Sequence, residues 1–229
     1  MGVDEPPVGE PVGTTPARRP ARAPLEGRFV SLVPVDPVAH GHGLFTASHD
    51  GSDEAARVWT YMAYGPWPDE AAMRGWLDLL PASEDPLFLS VIDRASGDPI
   101  GIVTFMSVDP AMRHLELGHI WYAPRAQRTR ANTESVYLML REAFDVLGHR
   151  RVEWKCDALN ARSLAAAERL GFTFEGVFRQ HMIIKGRNRD TAWFSMLDRE
   201  WPDVRANFER WLAEDPPHSL RELNAALRQ

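Results

Sequence analysis

Between Thr129 and Asp157 the apolar periodicity switches once from helical to alternating, and that switch limits the fold more than any other stretch of the chain. Val136, Leu140, Phe144 and Leu147 recur at i, i+4, i+8 and i+11 with Ala143 alongside, so they share one face of a helix that Gly148 stops. That helix starts between Thr129 and Thr133. Val152, Trp154 and Cys156 then alternate with Glu153, Lys155 and Asp157 as a strand, and Asn160 or Ser163 opens a second helix through Leu164, Ala167 and Leu170 to Gly171.

The other elements follow from the same reasoning. Phe29, Leu32, Val33 and Val35 form a short strand, and after Pro37 a helical stretch runs through Leu44 and Phe45. The segment from Trp59 to Trp67 is aromatic and irregular, broken by Gly65, Pro66 and Pro68. Asp69 caps a helix holding Met73, Trp76, Leu77 and Leu80, which Pro81 ends. Leu87–Asp93, Ile100–Val108 and His114–Tyr122 read as an antiparallel meander. Phe172–Ile184 and Asp190–Leu197 flank a five-residue polar turn as a hairpin, and a tail helix from Trp201 carries Val204, Phe208, Trp211 and Leu212. This order predicts an α/β (α+β) domain, with helices on both sides of one mostly antiparallel sheet of about seven strands.

Composition narrows the function classes. Apolar residues are 44% and charged residues 25% of the 229, which excludes collagen-like, coiled-coil and wholly disordered chains. A net charge of −6 argues against nucleic acid or an anionic membrane as the main partner. No apolar run is long enough to span a membrane and no signal-peptide layout opens the chain, so a cytoplasmic location is expected. Cys156 stands alone, so no disulfide forms within one chain, and it reads as a small core residue. Residues 1–24, crowded with Pro and Gly, are expected to form a disordered tail; 25–200 are the folded domain and 201–229 a helical appendage whose apolar face serves either its own core or a homodimer. His40, His42 and His49 lack ligand partners at familiar spacing, so no metal is expected.

Several short words fall in a fixed order: Leu115-Glu116-Leu117-Gly118, Tyr122-Ala123-Pro124, Thr133-Glu134-Ser135, Asn160-x-x-Ser163 and Arg169-Leu170-Gly171-Phe172. In these words and in its element order the chain, from Gly27 to Leu197, resembles the GNAT N-acetyltransferases, especially the ribosomal-protein N-terminal acetyltransferase branch. The resemblance implies an acetyl-CoA-dependent transferase, an acyltransferase acting on a primary amine of a protein N-terminus or small molecule. It also implies that the strands His114–Tyr122 and Val152–Asp157 splay to admit the pantetheine arm. A parity change near Gly118 or His119 suggests a bulge that would help them part.

Arg125, Ala126, Gln127, Arg128, Thr129, Arg130 and Ala131 join a strand to a helix N-terminus, where unpaired N–H groups and the helix dipole favour a phosphate. The family's loop carries glycine where Arg128 stands and glycine or alanine where Arg130 stands. Three arginines add phosphate-pairing donors but limit backbone approach. Their alternative role is a solvated basic patch. The backbone of Ile120, Trp121 and Tyr122 is expected to bond the cofactor, and Asn160 its amide, or else to cap its own helix.

Acetyl transfer to an amine needs a neutral nucleophile, oxyanion stabilisation and a proton for the departing thiolate. Glu116 is the candidate base, against simple pairing with a neighbour, and His119 is a second candidate, against a structural histidine. Ala167 occupies the position where many relatives carry an acidic tyrosine. The resemblance to the ribosomal branch, which presents a serine after Asn-x-x, implies Ser163 as the proton donor, against helix capping. Trp59, Tyr61, Tyr64 and Trp67, with Arg179, His181 and Asp190, are expected to choose the acceptor, the aromatics competing with a core role. Two other readings stand beside this one: a catalytically weak or inactive binding domain, and RNA binding through Arg125, Arg128, Arg130, Arg150 and Arg151, which the acidic total disfavours.

Overall fold

The computed structural model describes residues 6–214 and 218–227, so residues 1–5 of the expected tail and part of the expected appendage lie outside the described residues. Eight strands form one sheet: β1 (Leu25–Glu26), β2 (Val30–Pro34), β3 (Leu87–Asp93), β4 (Pro99–Asp109), β5 (His114–Tyr122), β6 (Arg151–Asp157), β7 (Thr173–Ile184) and β8 (Arg187–Leu197). Their spatial order is β1-β2-β3-β4-β5-β6-β8-β7. Every neighbouring pair is antiparallel except β5 with β6.

The helices are α1 (Pro37–Ser48), α2 (Asp53–Val58), α3 (Glu70–Leu77), α4 (Arg130–Arg141), α5 (Ala161–Arg169), α6 (Trp201–Ala213) and α7 (Leu220–Ala226). None of the described helices is long and apolar enough to cross a membrane. Local chemistry sets their starts. Asp36, Asp69 and Asn160 each accept backbone N–H groups from the first turn they precede, satisfying donors the helix itself leaves orphaned.

Alternation along the strands builds two cores. Leu89, Val91, Val103, Phe105 and Leu117 meet Val136, Leu140 and Phe208 on one face of the sheet, whereas Phe88, Ile102 and Trp121 meet Leu44, Met73, Leu77 and Trp59 on the other. The tail helix spends its apolar face inside the chain, with Trp201 and Phe208 ringed by Tyr137 and Phe144. Before the sheet, Ala17 and Arg18 donate their backbone N–H groups to Pro110 and Leu147, so this part of the Pro- and Gly-rich segment lies against the domain.

Several boundaries differ from the sequence-based expectation. The two-residue β1 raises the strand count to eight because Gly27 turns the chain back onto β2. The hairpin turn is two residues, Lys185 and Gly186, both at positive φ, so β8 begins at Arg187 and not at Asp190. The helix α2 has a Ser52 cap and two acids in its first turn but too few residues to display a period. The stripe of α4 continues past Arg141 as one π-turn, Glu142–Val146, before Gly148 ends it at φ +78°.

A buried carboxylate locks α4 to the first hairpin. Glu134 accepts N–H bonds from Arg28, Phe29 and Val30 at 2.8, 2.6 and 2.9 Å. A Cβ on Gly27 would meet its Oε2 at 2.5 Å, so the turn needs glycine there. Replacing Glu134 with Ala strands these donors and is expected to cost about 3 kcal/mol of unfolding free energy, with Glu134→Gln losing less, as read from urea midpoints at constant m. A loss below about 1 kcal/mol for the alanine variant would contradict the clamp.

Candidate active site

The parallel pair at the sheet centre is short. His114, Leu115 and Glu116 of β5 pair with Arg151, Val152 and Glu153 of β6, and there the ladder ends. Beyond it β5 stays with β4 and β6 stays with β8, so the two strands part. The cause is local to β5. His119 and Ile120 face the single residue Val103 of β4, and His119 takes φ +47°, a bulge that bends its strand away. The bulge thus includes His119, one of the two positions near which the change of parity suggested it.

Two cavities occupy the opening and share Tyr61, Met62, Ile120, Trp154, Asn160 and Ser163. One, of about 380 Å³, is walled by Glu116, His119, Lys155, Cys156, His181 and Arg189. The other, of about 500 Å³, lies toward Tyr122, Gln127, Asn132 and the start of α5. Along its edge the Ala123 N–H goes to Ile100 of the β4 side, so alternation turns the Tyr122 amide and carbonyl toward the opening, where Gln127 Nε2 holds the carbonyl at 3.1 Å. The Trp121 carbonyl faces β4, where a Cβ on Gly101 would lie 2.2 Å from it; only glycine permits that approach.

Where the strands part, charge spans the gap. Lys155 Nζ donates to Glu116 Oε2 at 2.9 Å and contacts Glu153 Oε2 at 2.8 Å, while lying 4.0 Å from the Trp193 ring centroid. Arg151 extends the ladder to Glu153 and, with two nitrogens, to Glu175, which also accepts from Ser195. Burial raises the Glu116 pKa, and the Lys155 charge only partly offsets it. Burial also penalises the Lys155 ammonium, but Glu116 and Glu153 outweigh this and raise its pKa.

Ser163 stands at the junction of the two cavities. Its backbone N–H goes to Asn160 Oδ1 at 3.1 Å, and its hydroxyl oxygen accepts from Trp154 Nε1 at 3.0 Å. Capping is therefore the work of Asn160. The Trp154 bond uses one oxygen lone pair and leaves the hydroxyl hydrogen for another acceptor. Beside it in the same cavity wall, burial raises the pKa of the Cys156 thiol.

The loop before α4 keeps a left-handed turn despite its arginines: Arg128 adopts φ +62°. Thr129 supplies no side-chain cap, so the leading N–H groups of α4 are not closed off by their own N-cap. Two of the three arginines, Arg125 and Arg130, line one cavity of about 530 Å³ with Arg28 and Arg94, and Arg128 is not part of its lining. Arg125 pairs with Asp98 at 3.6 Å, Arg130 bonds the Glu214 carbonyl and lies over the Phe29 ring, and Arg128 is exposed. Asp98 and the Glu214 carbonyl, far away in sequence, hold Arg125 and Arg130 in that cavity wall.

Comparison with known proteins agrees with this geometry. Residues 45–173 match the family model of the acetyltransferase (GNAT) domain. A crystal structure of a GCN5-related N-acetyltransferase from Brucella melitensis is 44% identical, covers 92% of this chain and 98% of its own, and superposes with a TM-score of 0.88. The chain belongs to the GNAT acetyltransferase family. A Bacillus subtilis (strain 168) protein provisionally named ribosomal N-acetyltransferase YdaF is 30% identical over 105 residues, 46% of this chain, and the match spans only 57% of that relative. The microcin C7 self-immunity acetyltransferase MccE, solved with acetyl-CoA and AMP, shares the fold at a TM-score of 0.63 and 21% identity, covering 75% of this chain and 93% of its own.

Within this GNAT domain the expected acceptor residues divide. Trp59 is 1% exposed and packs on Trp67 and Trp121, and Tyr64 and Trp67 belong to the same aromatic cluster. All three pack in the second core, Trp59 against Trp121 and, past the Gly65–Pro68 bend, Tyr64 and Trp67 against Trp76. Only Tyr61 of the four reaches the cavities, and its hydroxyl donates to the Leu159 carbonyl at 3.0 Å. His119 lies in the cavity wall, stacked on Tyr64 and beside Phe88, and burial lowers its pKa.

On the hairpin, His181 lines the Glu116 cavity with Nδ1 2.9 Å from Thr191 Oγ1, whereas Arg179 lies outside it. Asp190 turns to the β7 bulge, accepting from Gln180 N–H at 2.7 Å and from Asn188, and the Gln180 bond leads in lowering its pKa. The sequence reading missed Lys155, Trp154, Trp193 and Arg189 as cavity residues. Lys155 carried one signal, being one of two lysines among 26 basic residues.

Lys155→Met leaves Glu116 buried without its cation and is expected to cost about 3 to 5 kcal/mol at pH 7. A carboxyl whose folded pKa lies above its unfolded one loses stability as pH rises between the two, so the variant's deficit should shrink as pH falls toward 4 and Glu116 takes a proton. Urea unfolding across pH checks this; a deficit that stays constant from pH 7 to pH 4 would contradict the pairing.

Proposed function

We propose that this GNAT protein transfers an acetyl group from acetyl-CoA to a primary amine, with the α-amine of a peptide N-terminus as the leading acceptor class. The observation that carries the reading is the three-residue β5–β6 pair followed by an opening whose two cavities meet at Ser163. Acetyl-CoA supplies the thioester carbonyl. The residues present suit it: the Tyr122 amide faces the opening, the Arg128 turn takes a left-handed conformation that glycine adopts most readily, and the first turn of α4 is uncapped by Thr129. The diphosphate would lie against the segment from Arg128 to Ala131, with Arg128 the arginine free to turn onto it, and Asn160 Nδ2 is the side-chain donor toward the pantetheine amide.

The amine must arrive neutral or lose its proton in the site. An α-amine, with a pKa near 8, demands less of a base than a lysine near 10, which suits a site whose carboxylate is shared with Lys155. Glu116 Oε1 is the oxygen not held by Lys155 and receives the proton, directly or through one water. His119, packed among rings with its pKa lowered, has the weaker claim to that role. Ser163 gives its hydroxyl hydrogen to the departing sulfur, its oxygen being held by Trp154.

The left-handed turn at Arg128, in a loop without the family's glycine there, disfavours an inactive domain. Thiol release with acetyl-CoA, across N-terminal peptides and small amines, tests the proposal. Ser163→Ala and Glu116→Gln are each expected to lower kcat about 100-fold. Acetyl-CoA should still raise the melting temperature of both variants. Absence of turnover with every amine, together with no thermal stabilisation by acetyl-CoA, would overturn the reading.

A further inference from the structure

The cavity beside Glu116 contains a cation without an anionic partner among the described residues. Lys155 is consumed by Glu116 and Glu153. Arg189 lines the same cavity from β8, is only partly exposed, and bonds through Nε to the neutral Thr191 Oγ1 at 3.2 Å; it makes no ion pair among the described residues. The other lining carboxylate, Asp157, takes the Leu159 N–H on Oδ1 and forms no ion pair with Arg189. Arg189 is nevertheless near enough to act electrostatically on Glu116. A half-buried guanidinium offers paired donors that match a carboxylate or phosphate, and leaving it unmatched in a closed complex is costly.

We infer that Arg189 forms an anion subsite, and that the acceptor carries an acidic group on the same molecule as its amine, the amine directed to the Glu116 side and the acidic group to Arg189. This rests on the acetyl-transfer reading and adds the acceptor's chemical class to it. The arrangement suits a peptide N-terminus with an acidic side chain at its second position, or a small amine bearing its own carboxylate or phosphate. It disfavours plain alkylamines.

The test is kcat/KM by thiol release on matched acceptors: Ala-Asp against Ala-Asn tetrapeptides for the peptide source, and β-alanine and phosphoethanolamine against propylamine for the small-molecule source. The inference expects the acidic member of at least one set to be preferred about tenfold or more, mainly through KM, because the anion contact is made equally in the ground and transition states. Arg189→Gln should bring that ratio to about one, Arg189→Lys should restore part of it, and Arg187→Gln, an exposed arginine outside the cavity, should leave it intact. Turnover with ratios near one in the wild type, or ratios unmoved by Arg189→Gln, overturns the inference while acetyl transfer stands. No turnover in any set, with no stabilisation by acetyl-CoA, overturns both.

Discussion

The structure is organised around a parallel strand pair that is allowed only three residues. The β1 side of β5 and the β8 side of β6 are antiparallel, so the break between them leaves two strand edges inside the sheet facing open space. An unpaired backbone edge is costly when closed off from water and useful when a ligand can complete it. The bulge at His119 opens the gap, and the Lys155 bridge between Glu116 and Glu153 ties the strands at the point from which they diverge.

That tie links stability to chemistry. One ladder of alternating charge runs from Glu116 through Lys155, Glu153 and Arg151 to Glu175 across β5, β6 and β7. A buried ion network of this kind stabilises little in net terms, but removing one member leaves an uncompensated charge. It therefore serves better as a device that fixes geometry than as a source of folding energy. Here it fixes one oxygen of Glu116, whereas Ser163 is fixed independently by Trp154 and by the Asn160 cap.

Much of this was legible in the sequence, for identifiable reasons. The stripe of α4, the alternation of β6 and the caps at Asp69 and Asn160 are local signals, and local signals survive folding. Glu116 and Ser163 were reached through short words at fixed spacing, and both line the opening. What stayed hidden depended on distant partners. Whether Trp59 and Trp67 face a ligand or a core is decided by Trp121 and Trp76, and the direction of Arg125 and Arg130 by Asp98 and Glu214. Lys155 becomes a site residue only once the β5–β6 register sets it beside Glu116.

The central claim is that the opening between β5 and β6 holds the thioester cosubstrate. The most direct measurement is a crystal structure of the protein with CoA. The account predicts the pantetheine arm between the strands, bonded to the Tyr122 amide, with its sulfur beside Ser163 and its diphosphate against residues 128–131. CoA seated elsewhere on the protein, or an opening that stays empty in crystals grown with saturating CoA, would contradict it.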